Sequence, residues 1–133
     1  MAKGREEHEA RQWALQSFGK DLARRAKSKC ELCEVAGEKL AIFEVPPVPS
    51  EPDFDHCLLV CERCRSALEG SGAVVGGEEW RVLAQTVWSE MPAAQVAAVL
   101  LLKRLAATED WARETVEELY LDDEVADWVT RAG

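Results

Sequence analysis

The chain has 133 residues, 47% of them hydrophobic and 31% charged, with 16 basic against 25 acidic side chains and a formal charge of -9. That supplies one modest core, or a core plus a stapled satellite. It excludes a large multidomain machine, a disordered chain and whole-surface binding of nucleic acid, which depends on neutralising phosphates with Lys and Arg.

Residues 1–20 carry Glu6, Glu7 and Glu9 and no continuous apolar run, so no secretory signal is expected there. The longest strongly apolar stretch, residues 96–102, ends at Lys103, far short of the roughly 20 residues needed to cross a bilayer. A cytoplasmic location without a membrane partner follows as the expectation, and in that compartment thiols stay reduced.

The basic charge is concentrated at the start: residues 1–30 hold 8 basic and 4 acidic groups, whereas residues 66–133 hold 5 and 13. Ala10, Ala14, Phe18, Leu22 and Ala26 form an i,i+4 row with Trp13 and Leu15 beside it, which predicts one amphipathic helix over residues 6–27. Arg24, Arg25, Lys27 and Lys29 crowd its end, where positive charge complements the helix dipole; a dedicated anion or nucleic-acid patch is the alternative.

Between Cys30 and Cys64 two short apolar runs, residues 40–45 and 58–60, predict strands flanking a loop that holds Pro46, Pro47, Pro49 and Pro52. Proline cannot extend a ladder, so pairing should end near Val45. Four of the eight glycines then fall within residues 70–77, the best linker candidate. Beyond it Trp80, Leu83, Ala84, Val87 and Trp88 return to helical spacing. Pro92 suits a first turn, and the stretch to about residue 106 is apolar nearly all round, the mark of a central helix. Thr108 is the expected cap of a helix over residues 109–119, and Asp122 or Asp123 that of a last helix carrying Val125, Trp128 and Val129.

Chemistry enters with the cysteines. Cys30 and Cys33 form one C-x-x-C pair and Cys61 and Cys64 a second, with 27 residues between them. Each pair can wrap one side of an ion as a tight knuckle, and two knuckles close a tetrahedral shell of four thiolates around one structural Zn2+ per chain. Iron in the same shell, a redox pair or disulfides are the competing readings. A zinc saturated by four protein sulfurs has no open position for water or substrate, which argues against metal catalysis. The fifth cysteine, Cys57, reads as a buried strand residue.

Weaker signals surround this centre. His56, in Asp53-Phe54-Asp55-His56, is the better placed of two histidines for general-base work, but no nucleophile or oxyanion signature accompanies it. Trp13, Trp80, Trp88, Trp111 and Trp128 all sit in helical patterns and are expected in packing rather than on a stacking platform. Glu114, Glu117, Glu118, Asp122, Asp123 and Glu124 form either a solvated face or a docking surface for a basic partner.

Taken in order, Ser28-Lys-Cys-Glu-Leu-Cys33, Phe43-Glu-Val-Pro-Pro47, the knuckle at Cys61 and Cys64, Trp80-Arg81, Trp88-Ser-Glu-Met-Pro92 with Gln95, Trp111-Ala112 and Tyr120-Leu-Asp-Asp-Glu124 resemble the PhnA-like zinc-ribbon family, named for a bacterial phosphonate-utilisation operon. The resemblance implies a zinc ribbon followed by helices, with the ligand role on Cys30, Cys33, Cys61 and Cys64. It assigns no catalytic residue. The family often has Gly directly after the first knuckle, where this chain has Glu34, and its longer members continue into a small β domain for which no residues follow Gly133.

The expected fold is mainly α with a small β zinc ribbon: an N-terminal amphipathic helix (residues 1–29), the four-cysteine ribbon (30–69), the Gly-rich linker (70–77) and a helical region of about four helices (78–133). The helices should form their own unit, so that chelation unfolds the ribbon while much of the helical signal survives. The expected function is that of a binding or regulatory module with an unidentified protein partner, homo-oligomers being compatible with it. An enzyme or accessory factor in phosphonate metabolism, or a nucleic-acid-binding ribbon, is the alternative.

Overall fold

The structure, a computed structural model, describes residues 2–70 and 77–132, with side chains from residue 5 onward. It is mainly helical, with a small two-stranded sheet beside a cluster of four cysteines, as the sequence pattern implies. Residues 71–76 of the expected linker lie outside the described residues. Helices α1 (Ala2–Ser17) and α2 (Gly19–Ala26) lead into the first knuckle, then strand β1 (Leu40–Glu44), the 3-10 turn Phe54–His56, strand β2 (Cys57–Cys61) and helix α3 (Glu62–Glu69). After the 3-10 turn Glu78–Val82 come α4 (Leu83–Thr86), α5 (Pro92–Leu105), α6 (Asp110–Glu118) and α7 (Asp123–Ala132). None of these helices is long and apolar enough to cross a membrane.

The first helix is two helices rather than one. At Phe18 the backbone N–H bonds Leu15 at i−3, and the Ser17 hydroxyl donates to the Ala14 carbonyl, a local bond that competes with the helical ladder. The apolar face keeps its phase across the break: Leu15, Leu22 and Ala26 are buried, whereas Ala10 is exposed and Trp13, two residues from Leu15 and so on the far side of α1, is 75% exposed.

Strands β1 and β2 pair antiparallel with Leu40 opposite Cys61 and Glu44 opposite Cys57, and β1 ends before the prolines, with Pro46-Pro47 in cis. Two strands alone are marginal in water. Both faces of this hairpin are therefore covered. Cys57, Leu59 and Ile42 pack with Leu15, Leu22, Phe18 and Phe54, while Phe43, Leu58 and Val60 join the main core. That division follows the two-residue period of a strand.

The main core is continuous from the knuckles to the last helix: Cys30, Leu32, Cys61 and Cys64 belong to the same buried cluster as Trp80, Leu83, Val96, Leu101, Leu102, Leu105, Val125 and Val129. The expectation of a helical unit packed separately from the ribbon is thereby corrected. The helices close on the ribbon because α5, apolar nearly all round, has more surface to bury than its helical neighbours cover. Pro92 opens α5 at its first turn, as expected.

Two other local expectations shift. Residues 78–88 do not form one helix: a 3-10 turn precedes the four residues of α4, and the tighter winding leaves Trp88 beyond the helix end and 56% exposed, while Trp80, Leu83 and Val87 stay buried. Thr108 does not cap α6. Its N–H bonds Leu105 in the turn that closes α5, and Glu109 takes the cap position without a side-chain bond.

Candidate metal centre

The first knuckle is a loop-closing turn. Cys30 N–H donates to the Val35 carbonyl and Glu34 N–H to the Cys30 carbonyl, both at 2.9 Å, while the N–H groups of Leu32 and Cys33 point at the Cys30 sulfur at 3.4 Å. The second knuckle is built differently: Cys61 ends β2 in extended backbone and caps α3, so that Cys64 comes round in the first turn of that helix. Strand pairing of Leu40 with Cys61 and a hydrogen bond from Glu31 N–H to the Leu59 carbonyl, 2.9 Å, hold the two knuckles face to face.

The result is a cluster of four buried cysteines, Cys30, Cys33, Cys61 and Cys64, whose sulfurs all lie within 4.8 Å of one another, positioned to chelate a metal ion. The Cys33 and Cys61 sulfurs are 3.7 Å apart. A regular tetrahedron with metal–sulfur bonds of about 2.3 Å has edges of about 3.8 Å, so this spacing fits a tetrathiolate shell. The thiols also behave as a group. Hydrogen bonds from Cys33 and Cys64 pull the Cys30 thiol far down, and their bonds to Cys30 push Cys33 and Cys64 up. Four negative sulfurs at this distance repel one another, so a cation is what permits all of them to ionise together.

Glu34 has φ of 67°, the left-handed conformation that a side chain enters at a cost of roughly 1–2 kcal/mol. Glu34→Gly is expected to stabilise the protein by about 1 kcal/mol or less in urea unfolding, part of the relief being offset by the freer unfolded chain.

Cys57 is fully buried but outside the cluster. Strand alternation gives Cys57 and Cys61 the same parity, so it is the rise of four residues, about 13 Å, that separates them. The Cys57 thiol donates to the Asp53 carbonyl at 3.3 Å, and burial pushes it up to about 11. Cys57→Ala is expected to leave the metal content unchanged and to cost about 1 kcal/mol of packing. Metal analysis beside a denaturation curve checks both parts, and loss of stoichiometric metal would place Cys57 among the ligands.

No family model matches the chain, and no curated protein or solved structure matches it.

The remaining candidates fall elsewhere. The His56 ring lies against Trp128 at a tilt of 37° with centroids 4.3 Å apart, its Nδ1 lies 3.4 Å from the Val45 carbonyl, and Trp128 Nε1 donates to the Pro46 carbonyl at 2.7 Å. The adjoining cleft of about 400 Å³ is lined by Asp53, Asp55, Met91 and Glu124 among others, with no Ser, Thr or Cys among its described lining. Of the five tryptophans only Trp80 is buried; Trp111 and Trp128 are half-buried, and Trp13 and Trp88 are exposed, contrary to a packing role for all five. The late carboxylates Glu114, Glu117, Glu118, Asp122, Asp123 and Glu124 are all exposed.

Two of the four basic residues at the end of α2 are held in ion pairs, Arg24 with Asp21 and Arg25 with Glu31, and in α3 Arg65 pairs with Glu62. Three side-chain contacts escape sequence reasoning. Arg25 binds Glu31 through two nitrogens at 2.7 and 2.9 Å, Arg11 grips Glu44 and the carbonyls of Pro49 and Ser50, and Arg63 lies over the Trp80 ring at 4.8 Å. Glu31 and Arg63 both lie inside the two C-x-x-C pairs, beside Leu32 and Glu62.

Proposed function

We propose that this chain is a small zinc-ribbon protein of the PhnA-like kind, holding one structural Zn2+ through Cys30, Cys33, Cys61 and Cys64 and working in a reducing cytoplasm as a binding or regulatory module. The observation that carries the reading is the tetrahedral spacing of four buried sulfurs with no histidine or carboxylate among them. That donor set suits zinc, with iron as the competing ion, and leaves no coordination position open to substrate. The partner is read as a protein: the exposed indoles of Trp13 and Trp88 are the side-chain type that anchors protein interfaces, and the pairing of Arg24, Arg25 and Arg65 reduces the charge free for phosphates.

The test is elemental analysis and X-ray absorption of protein purified under reducing conditions. One zinc per chain in a sulfur-only shell supports the proposal. Absence of both zinc and iron, or full metal retention in the Cys30→Ser, Cys61→Ser double variant, overturns it. A mixed shell containing water would move an enzyme of phosphonate metabolism ahead of the binding module.

A further inference from the structure

We infer that the cleft beside His56 and Trp128 is a docking site for an arginine side chain of a protein partner; this rests on the protein-partner reading proposed above and gives that partner a chemistry. Carboxylates alone do not make a site, since exposed acidic groups are ordinary on a chain of formal charge -9. Here they surround a formed cavity of about 400 Å³, inside the range of ligand pockets, roughly 300–1,000 Å³. Four parts of the chain converge on it: α2, the 3-10 turn before β2, the start of α5, and α7.

The walls are fixed by the fold itself. Trp128 Nε1 donates to the Pro46 carbonyl and its ring lies against His56, whose own carbonyl accepts from Val45 N–H at 2.8 Å. Met91 and Val125 continue the apolar lining. Asp53 accepts from Asp55 N–H at 2.9 Å and so braces the turn that carries Asp55. By contrast, the side chains of Asp55 and Glu124 have no hydrogen bond or ion pair among the described residues. The one lysine or arginine in the described lining, Arg25, is bound to both oxygens of Glu31 and to the Cys57 carbonyl. Its charge is matched there, which leaves Asp53, Asp55 and Glu124 at the cleft without a cation of their own.

These groups select an organic cation. A metal ion needs ligand atoms gathered around one point, and among the described residues only the four cysteines are gathered in that way. A guanidinium on an aliphatic stem uses both halves of the lining: carboxylates take its N–H fork in paired bonds, while the indole and the aliphatic side chains take its flat face and stem. An ammonium is a compact, strongly hydrated charge and uses the apolar half less well. The acidic character also continues past the cleft, since Asp122 and Asp123 beside Glu124 are exposed and residues 66–133 hold 13 acidic against 5 basic groups. A field of that extent complements a basic segment of a protein better than one small free cation.

The experiment titrates isotope-labelled, zinc-loaded protein with acetyl-Gly-Arg-Gly-amide, its lysine and citrulline counterparts, and diaminopentane, and follows the titrations by NMR. The arginine peptide is expected to shift the Trp128 indole N–H signal and the amides of Asp55 and Glu124. The lysine peptide should bind more weakly, and the citrulline peptide, alike in shape but uncharged, should shift none of them. The double variant Asp55→Asn, Glu124→Gln should weaken the arginine peptide about 10-fold or more, the loss expected when charged hydrogen-bond partners are removed. Glu117→Gln, Glu118→Gln, the same charge change on α6, should match wild type. Equal binding of the lysine or citrulline peptide, or an equal loss in both double variants, overturns the inference. Tighter binding of diaminopentane than of the arginine peptide overturns it in favour of a free amine. The arginine and citrulline comparison uses wild type alone, so it does not depend on how the variants fold. Silence of every probe on protein that holds zinc in a sulfur-only shell overturns this inference and leaves the zinc-ribbon reading standing, whereas a protein without metal that still shows the arginine shifts overturns that reading and supports this one.

Discussion

Withdrawal of zinc is expected to abolish the helical circular-dichroism signal together with the tertiary signal, in one cooperative step. Structural zinc contributes apparent binding energy on the order of 10–16 kcal/mol, which matches or exceeds the total of about 5–15 kcal/mol by which domains are stable. In a protein with two separate cores that loss would stay in the ribbon. Here Cys30, Cys61 and Cys64 share a buried cluster with Val96, Leu101, Leu102 and Leu105 of α5, and the Thr86 hydroxyl donates to the Leu32 carbonyl inside the first knuckle at 2.8 Å. The cluster cannot loosen without exposing the face of α5 that rests on it. Chelator titrations followed at once by far-ultraviolet dichroism and tryptophan fluorescence should give coincident midpoints. Survival of most of the helical signal after zinc is gone would show that residues 78–132 fold independently of the ribbon.

The second large effect is expected at Arg25. Its guanidinium binds both oxygens of Glu31 and donates to the Cys57 carbonyl at 2.8 Å, while Glu31, with a side chain only 3% exposed, also accepts from Leu59 N–H at 2.8 Å. One buried carboxylate thus joins α2, the first knuckle and β2. Removing a single partner of a buried pair costs about 3–5 kcal/mol because the other charge is left unpaired. The Arg25 side chain is 27% exposed, so water screens part of the loss and the lower end, about 3 kcal/mol, is the expectation for Arg25→Ala in urea unfolding. The double variant Arg25→Ala, Glu31→Gln should be more stable than Arg25→Ala alone, since it removes the stranded charge. If the double variant is instead the weaker, the ion pair is not the source of the loss and the Leu59 hydrogen bond is.

The ribbon was readable because its determinants are local. A C-x-x-C pair closes through bonds between residues at most five apart, such as Cys30 N–H to Val35, and proline ends a strand wherever it stands, as β1 does before Pro46. The central helix was legible for the same reason: Pro92 presets its first turn, and an apolar surface on all sides requires burial whatever the neighbours are. Periodicity failed where the backbone left the α-helical period. At Phe18 one expected helix became two, and the 3-10 turn before α4 left Trp88 beyond the helix end and in solvent. Neither break has a Pro, and Gly19 alone is a weak signal against an otherwise continuous helical pattern.

By itself the amino-acid order determined the helical class, the two-stranded ribbon and the four residues able to meet at one ion, since periodicity, turn chemistry and ligand spacing each act over a few residues. Only the tertiary structure decided that ribbon and helices share one core, that Glu31 is buried against Arg25, and that Arg63 lies over the Trp80 ring while Arg65 pairs with Glu62. Those outcomes depend on which surfaces meet across dozens of residues. A charged side chain looks the same in the sequence whether it ends in water or against a metal centre, and its burial is set by what packs over it.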